Sequence, residues 1–322
     1  MPTSDSKKNK LISILIPVLN EEYAIDRAYS AICSLFSELP YEFEIIFTDN
    51  HSSDGTLQKL KLIANTDARV KVVRFIRNYG FQRSLFSAYY YSSGDACIQL
   101  DCDLQDPPSL IPQFLKLWEM GHDVVVGIRA RRKENSLLSY TRKFFYFIQS
   151  KLTEDNMTLN AGDFRLVDRF VVNSLIQIND PNPYIRGIIS SFAVNEAGIA
   201  YERDKRVQGK SKFPPLKLFT FAIECIFGNS LMPLRFASVC GLLISFLCIV
   251  VGIFYFTSAL FFGKSWPSGF ATNIIVSLFG ISMNAIFLGI IGEYLGRIYQ
   301  QLRNKPLVVV EQTINVTKGK FK

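Results

Sequence analysis

The stretch IQLDCDLQDPP, residues 98–108, decides how the fold of this chain is interpreted. Its apolar start predicts the end of a buried strand, and its two final prolines stop regular structure. In extended geometry Asp101, Asp103 and Gln105 would project from one face, because alternate strand residues share a face. Two carboxylates and an amide oxygen suit a hard divalent cation such as Mg²⁺ or Mn²⁺. The alternative is an acidic turn that caps a helix beginning at Ser109.

Strands and helices alternate on both sides of this stretch. Apolar runs at residues 11–18, 43–47, 70–75 and 123–128 predict four more strands, with helical patterns between them. This alternation is typical of a parallel, wound α/β sheet, which binds ligands at the carboxyl ends of its strands. There is no GxGxxG or GxxxxGK[ST] motif, so neither a dinucleotide cradle nor a P-loop is indicated. The polar residues that directly follow strands should converge on one edge: Asn20, Glu21, Asp49, Arg77, Asp101, Asp103 and Arg129.

The sequence from residue 231 to residue 292 is far more apolar than the rest. No charged residue occurs between Arg235 and Lys264 or between Lys264 and Glu293. Each run exceeds the roughly 20 residues that cross a hydrocarbon core. These runs predict two transmembrane helices, at about 236–262 and 270–292, that form a hairpin. Basic residues flank the outer ends and place both in the cytoplasm. A pair of buried soluble helices is the alternative.

Residues 1–212 have the composition of a soluble domain, and two segments beside the spans are rich in aromatic residues. Residues 137–152 mix Phe and Tyr with cations, which favours a helix in the membrane interface over a core helix with a basic edge. Residues 213–233 are interpreted in the same way. The tail, residues 298–322, is expected in the cytoplasm, and its residues 307–316 should form a strand that returns to the soluble domain.

The charge and the cysteine and histidine content narrow the possible partners. The net charge of +8 could indicate nucleic acid, but the cations cluster beside the spans, where anionic lipid and phosphorylated substrates explain them. The six cysteines show no paired spacing, which favours reduced thiols. With only His51 and His122, a histidine-based zinc or iron site is not indicated. Residues 1–10 are polar and Lys-rich, so no signal peptide is visible.

Seven short motifs occur in one order along the chain. They are PVLNE (17–21), TDNHSSDGT (48–56), RNYG (77–80), DCDLQDPP (101–108), GIRARR (127–132), GDFRLVDR (162–169) and RVQGKSKF (206–213). Together they resemble the polyisoprenyl-phosphate glycosyltransferases of glycosyltransferase family 2, a group that contains dolichyl-phosphate mannose synthases and bactoprenol glucosyltransferases. The motifs span about two-thirds of the chain. The resemblance implies a Rossmann-like GT-A catalytic domain followed by the two-helix transmembrane hairpin.

The resemblance also implies roles for particular residues. Asp101 and Asp103 would be the metal-binding DxD pair, with Gln105 as a further ligand of Mg²⁺ or Mn²⁺. The nucleotide sugar would be bound by Pro17, Asn20, Glu21, Asp49, Arg77 and Asp101. The catalytic residues would be Asp103, Asp163, Arg129 and Arg131. The acceptor phosphate would be bound by Arg129, Arg131, Arg203, Arg206, Lys210 and Ser211. The sequence departs from the family at Asn50, where a second acid is usual, and at His51-Ser52.

The chemistry of sugar transfer agrees with this distribution of charge. A departing nucleoside diphosphate is an anion whose charge a cation can neutralise. An acceptor phosphate needs basic side chains, although residues 129–132 could instead form a loop that only keeps the domain soluble. Asp163 could act as a general base, hold a sugar hydroxyl, orient an arginine or serve structure alone. A base is not obligatory, because a phosphate monoester with a second pKa near 6 is mostly dianionic at neutral pH.

These expectations lead to one hypothesis for the function, with three alternatives. The chain would transfer glucose from UDP-glucose to undecaprenyl phosphate by a metal-dependent inverting displacement. It would lie in the bacterial inner membrane with its catalytic domain in the cytoplasm, and the hairpin and tail could mediate assembly into a homo-oligomer. The rivals are transfer from GDP-mannose or another nucleotide sugar, a processive synthase, and a non-catalytic glycolipid-binding subunit. The QxxRW motif of processive synthases is absent, and nucleic acid is not an expected partner.

Overall fold

The computed structural model describes residues 10–129, 161–180, 183–202, 270–302 and 305–316, with isolated helical residues between 234 and 261. The chain divides into two compact units. The first comprises Met1–Tyr146, Asp155–Ser211 and Lys305–Lys322, and the second comprises Phe147–Glu154 and Lys212–Asn304.

The first unit alternates strands and helices over most of its length. In chain order its elements are β1 (Leu11–Val18), α1 (Ile25–Ser37), β2 (Glu42–Asp49), α2 (Thr56–Thr66), β3 (Val70–Phe75), α3 (Phe81–Tyr91), β4 (Ala96–Gln99), a 3₁₀ turn (Pro108–Leu110), α4 (Ile111–Glu119), β5 (Val124–Arg129), β6 (Ala161–Asp168), α5 (Arg169–Leu175), α6 (Ile185–Phe192) and β7 (Glu196–Tyr201). After the second unit the chain adds β8 (Val310–Ile314).

These strands form one eight-stranded mixed sheet in the order β7-β5-β6-β4-β1-β2-β3-β8. The expectation of a parallel sheet is correct for β1 to β4 and for the pairing of β5 with β7. It is wrong for β6, which runs antiparallel between β4 and β5, and for β8, which runs antiparallel to β3. Alternating strands and helices predict parallel strands joined by crossover connections. They do not predict a strand, such as β6 or β8, that joins the sheet in the antiparallel direction.

The core lies on both faces of the sheet, which is why its strands are almost continuously apolar. Successive strand residues point to opposite faces. On one face Ile14 packs with helices α1, α2 and α4, and on the other Leu15 packs with α3, α5 and α6. Burial on both faces fixes the register of the central strands, so the residues just beyond their carboxyl ends lie at a defined edge.

The second unit is described mainly by one helix, α7 (Phe270–Leu302), of 33 residues. Its segment Phe279–Gly296 has a mean hydropathy of 1.3, and among the described residues α7 is the one helix long and apolar enough to cross a membrane. The predicted span at 270–292 falls within α7, which continues to Leu302. Residues assigned between 234 and 261 are helical but isolated, so the hairpin remains a prediction. The predicted interfacial helices at 137–152 and 213–233 lie outside the described residues.

Candidate active site

The acidic stretch after β4 forms a turn. Strand β4 ends at Gln99, and the backbone N–H of Leu104 donates to the carbonyl of Asp101 at 3.2 Å. Leu104 has a left-handed φ of 53°, which alternating strand geometry does not allow. The expectation that Asp101, Asp103 and Gln105 share one face of a strand is therefore wrong in its geometry. The alternative of a cap for a helix at Ser109 is not what forms, because the 3₁₀ turn and α4 follow without a side-chain cap.

The turn nevertheless concentrates negative charge. Burial raises the pKa of the Cys102 thiol, and the charges of Glu21, Asp103 and Asp101 raise it further, against the opposing Arg27. Oδ1 of Asp103 accepts from the N–H of Gln105 at 3.1 Å, and Arg27 donates to the Asp103 carbonyl at 2.7 Å. Hard oxygen donors at a negative potential fit a divalent cation.

Within the described part of the chain, no cluster of three His, Cys, Asp or Glu residues is arranged to hold a metal. A pair of carboxylates without a third acidic ligand fits Mg²⁺, which keeps waters and takes substrate phosphates as its other ligands. In that case Asp101 and Asp103 would hold the cation, and the amide oxygen of Gln105 would be the remaining candidate ligand.

The loop after β1 is fastened to the loop after β2. Asn20 has a left-handed φ of 56°, its N–H donates to Ser52 Oγ at 2.9 Å, and its Oδ1 accepts from the N–H of Ser53 at 2.8 Å. The N–H of Glu21 donates to Thr56 Oγ1 at 2.9 Å. Pro17 lies in β1 opposite Thr48 of β2. The structure therefore brings Pro17, Asn20, Glu21 and Asp49 to one edge, because they lie at or just beyond the carboxyl ends of β1 and β2.

Asp49, at the end of β2, is fully buried and its carboxylate is held by two partners. Oδ1 accepts from the N–H of Ser52 at 2.9 Å, and Oδ2 accepts from Nη1 of Arg74 at 2.5 Å. Sequence reasoning missed Arg74, which lies inside β3 and carries no motif. A buried carboxylate needs a counter-charge. That rule predicts that a partner exists and leaves its identity open.

The RNYG motif follows β3 and is tied to the same loop. Asn50 is buried and its Oδ1 accepts from the N–H of Tyr79 at 2.8 Å. The Arg77 guanidinium stacks over the Tyr79 ring with 4.9 Å from Cζ to the ring centroid. The family position that usually carries an acid is thus occupied by an amide that positions the loop bearing Arg77.

Arg129 lies in a buried cluster at the end of β5. Its Nη2 donates to Oδ2 of Asp106 at 3.2 Å, and its Nε lies 3.4 Å from the hydroxyl of Tyr201. Tyr201 donates to Oδ1 of Asp106 at 2.5 Å, and burial together with this bond raises the pKa of Tyr201 to about 12. Gly162 leaves room for the guanidinium, because a Cβ there would lie 3.2 Å from Arg129 Nε. None of these contacts uses Nη1.

Asp163 on β6 is paired with Arg186 near the start of α6. The guanidinium makes a bidentate contact, with Nε donating to Oδ1 at 2.7 Å and Nη2 donating to Oδ2. Burial by itself would raise the pKa of Asp163, but Arg186, then Arg165 and Arg129, outweigh it and hold the pKa below its usual value. A carboxylate stabilised in this way is a weak base, which favours the interpretation that Asp163 orients an arginine.

A second arginine lies behind this pair. Arg165 is 2% exposed, and its Nη2 donates to the carbonyl of Gly162 at 3.0 Å. Burial lowers its pKa, yet a guanidinium stays charged in proteins. The Asp163 carboxylate therefore lies close to two arginines, and no site role was predicted for either Arg165 or Arg186. Arg131, Arg203, Arg206, Lys210 and Ser211 lie outside the described residues.

A mixed, wound sheet with an acidic turn at its carboxyl edge is the GT-A arrangement of glycosyltransferases. Residues 13–176 match the model of glycosyl transferase family 2. The uncharacterized glycosyltransferase YkcC of Bacillus subtilis is 32% identical over 94% of this chain and 94% of its own length. The SfII prophage-derived bactoprenol glucosyl transferase of Shigella flexneri is 34% identical over 94% of this chain and 98% of its own.

Among solved structures, glucosyl-3-phosphoglycerate synthase from Mycobacterium tuberculosis aligns at 17% identity with a TM-score of 0.46, covering 70% of this chain and 80% of that chain. The family model and the sequence relatives establish the class. The chain belongs to glycosyl transferase family 2, and it is a glycosyltransferase. The family resemblance inferred from the seven ordered motifs is confirmed.

Proposed function

We propose that this chain transfers glucose from UDP-glucose to a polyprenyl phosphate such as undecaprenyl phosphate. The observation that carries the proposal is the identity of 34% with a bactoprenol glucosyl transferase over nearly the whole of both chains. A relation of that extent includes the apolar region after the catalytic domain, where the polyprenyl chain of a lipid acceptor would lie. The edge formed by the loops after β1, β2, β3 and β4 would receive the nucleotide sugar.

On the donor side, Asp101 and Asp103 would hold Mg²⁺ or Mn²⁺, and Gln105 would support that shell. A cation bound there supplies charge neutralisation for the departing diphosphate. Pro17, Asn20, Glu21, Asp49 and Arg77 would bind the nucleotide. Hydrogen bonds between the loops after β1 and β2 hold these loops in place before the donor binds. Little conformational entropy is therefore lost when the donor binds.

On the acceptor side, Arg129 would present Nη1 to the phosphate, with Arg131, Arg203, Arg206, Lys210 and Ser211 as further phosphate ligands. A lipid phosphate that is already dianionic can attack the anomeric carbon without a base. Asp163 would then keep Arg186 oriented toward the site, which agrees with its depressed pKa. One displacement of this kind inverts the anomeric centre.

We place the enzyme in the bacterial inner membrane, with its catalytic domain in the cytoplasm and two spans formed by residues 236–262 and α7. The apolar segment Phe279–Gly296 supports the second of these spans. The acceptor's polyprenyl chain is insoluble in water, so an enzyme that uses it gains access to the phosphate from the membrane surface. Self-association through the spans is compatible with this arrangement.

The test is a donor panel. Membranes that contain the full chain are incubated with undecaprenyl phosphate, Mg²⁺ and radiolabelled UDP-glucose, UDP-galactose or GDP-mannose. Label from UDP-glucose should enter the lipid fraction, and Asp103→Asn should abolish it, while substitution of an exposed acid just after α1, Glu38→Gln, leaves it unchanged. Transfer from GDP-mannose alone would replace the donor assignment, and no transfer from any donor would overturn the proposed function.

A further inference from the structure

After α7 the chain returns to the sheet, where β8 pairs with β3 and forms the edge of the sheet. The ladder pairs Arg74 with Gln312 and Phe75 with Val310, so the register shifts by one residue between these two pairs. Glu311 is the extra residue of this β-bulge. The ladder resumes beyond it, because the N–H of Ile76 donates to the carbonyl of Val309 at 3.1 Å. A bulge redirects a side chain that regular pairing would point elsewhere.

The redirected carboxylate contacts two parts of the candidate nucleotide site. Oε2 of Glu311 accepts from Nε of Arg74 at 2.8 Å and lies 3.7 Å from Nδ1 of His51. The same Arg74 donates through Nη1 to the buried Asp49 at 2.5 Å. A continuous set of contacts therefore links the tail strand to the end of β2, although Glu311 and Arg74 are 237 positions apart in sequence.

The loop at this point is in a conformation that its surroundings must stabilise. His51 has a left-handed φ of 64°, which is unfavourable for a residue with a side chain unless neighbouring contacts hold it. Its ring Nδ1 lies 3.0 Å from the carbonyl of Phe75, next to Glu311. His51 is also a position where the sequence departs from the family that it resembles, so the family pattern does not account for the contact between His51 and Glu311.

The attachment of β8 does not depend on Glu311. Asn315 follows the strand and its Nδ2 donates to the carbonyls of Ala64 at 2.7 Å and Val70 at 3.0 Å. Val308, just before the strand, is fully buried in the core. Substituting Glu311 should therefore leave the strand in place and remove only the contact with Arg74 and His51.

We propose that Glu311, in the tail that follows α7, is a positioning residue for the donor nucleotide, acting through Arg74 on Asp49 and through His51 on the loop after β2. The inference rests on the proposed function, since it takes the β2 edge as the nucleotide site. Arg74 is 12% exposed and Asp49 is fully buried, so a change in the guanidinium's orientation is passed to the carboxylate rather than lost to solvent.

The experiment measures nucleotide binding and kinetics on the full chain in detergent. Glu311→Gln and Glu311→Ala are compared with Thr313→Ala, which replaces an exposed residue on the same strand. The Kd of UDP and the KM of UDP-glucose should rise about two- to fivefold in both Glu311 variants, the range expected for a half-exposed ion pair. The KM of undecaprenyl phosphate and the thermal midpoint should match those of Thr313→Ala.

A double-mutant cycle distinguishes an effect of Glu311 through Arg74 from a general loss of rigidity in the fold. Arg74→Lys alone should weaken UDP binding, and adding Glu311→Gln should weaken it by less than the sum of the two effects, because both act on one path. Equal UDP affinity in the Glu311 variants and the Thr313 control would overturn the inference while leaving the proposed function intact. If the unsubstituted protein binds neither UDP nor GDP, the proposed function and this inference both fail.

Discussion

Two neighbouring regions of the sheet edge carry opposite charge. The turn after β4 places Asp101, Asp103 and Glu21 near Arg27. In contrast, β5, β6 and the start of α6 place Arg129, Arg165 and Arg186 around two aspartates, Asp106 and Asp163. Strand β4 pairs directly with β6, so these regions are adjacent in the sheet. One edge of the sheet can therefore bind a cation and anions at the same time. The acids suit a metal and the cations suit phosphate oxygens.

Removing one acid of the negative region should have the largest effect. Asp101→Asn or Asp103→Asn is expected to reduce kcat by at least about a hundredfold, because the charge of the departing diphosphate would lose its counter-ion. Glu38→Gln serves as the exposed-acid control, and circular dichroism checks the fold. Chelation with EDTA should reproduce the loss in the unsubstituted enzyme, with recovery on added Mg²⁺ or Mn²⁺. Turnover that survives both treatments would remove the metal from the site.

Breaking the Asp163–Arg186 pair should be the next largest effect. Arg186→Gln leaves a partly buried carboxylate, 19% exposed, without its bidentate partner and is expected to lower the free energy of unfolding by about 2 kcal/mol near neutral pH. Because the folded-state pKa of Asp163 is depressed, the pair's stabilisation is present above its unfolded pKa and is lost as pH falls through the folded value. Melting curves should therefore show the difference between variant and parent shrinking below about pH 4. A constant difference across pH would refute this assignment.

Loosening the Arg129 cluster should give a moderate effect. Tyr201→Phe removes the hydroxyl that donates to Asp106 but keeps the ring against Phe164, at 6.1 Å between centroids. A loss of about 1–2 kcal/mol in unfolding free energy is expected, with a several-fold rise in the KM of the polyprenyl phosphate.

The control for that substitution is Tyr41→Phe. It removes a similar bond, 2.5 Å from the Tyr41 hydroxyl to Glu119, away from the carboxyl edge of the sheet. It should cost comparable stability and leave the KM of the acceptor unchanged. An equal rise of that KM in both variants would show that Tyr201 has no special relation to the phosphate.

A single added methyl should give the smallest effect. Gly162→Ala places a Cβ 3.2 Å from Nε of Arg129, which requires the guanidinium to shift by a few tenths of an ångström. We expect kcat/KM for the polyprenyl phosphate to fall by about two- to fivefold, a fraction of the hundredfold that a 1 Å misplacement costs. Stability should change little. A wild-type value would mean that the position of Arg129 is not critical.

The sequence predicted much of this fold and part of this site. Apolar runs that end in polar residues predicted β1 to β5, and the order of the motifs predicted the family. Sequence patterns missed the antiparallel β6, and they mistook the acidic turn for extended chain because nothing in DCDLQDPP signals the left-handed Leu104. They also missed Arg74, Arg186 and Tyr201, which occur outside motifs and act only as partners of acids.

Hydrophobic periodicity and chain order are local properties, and they are enough to specify which side chains lie at strand ends. Which polar groups contact each other depends on the tertiary structure. Asp163 pairs with Arg186 across 23 residues, Asp106 with Tyr201 across 95 and Arg74 with Glu311 across 237. Those pairings depend on strand order, strand direction and a single bulge, which arise when the whole sheet assembles and which no local pattern specifies.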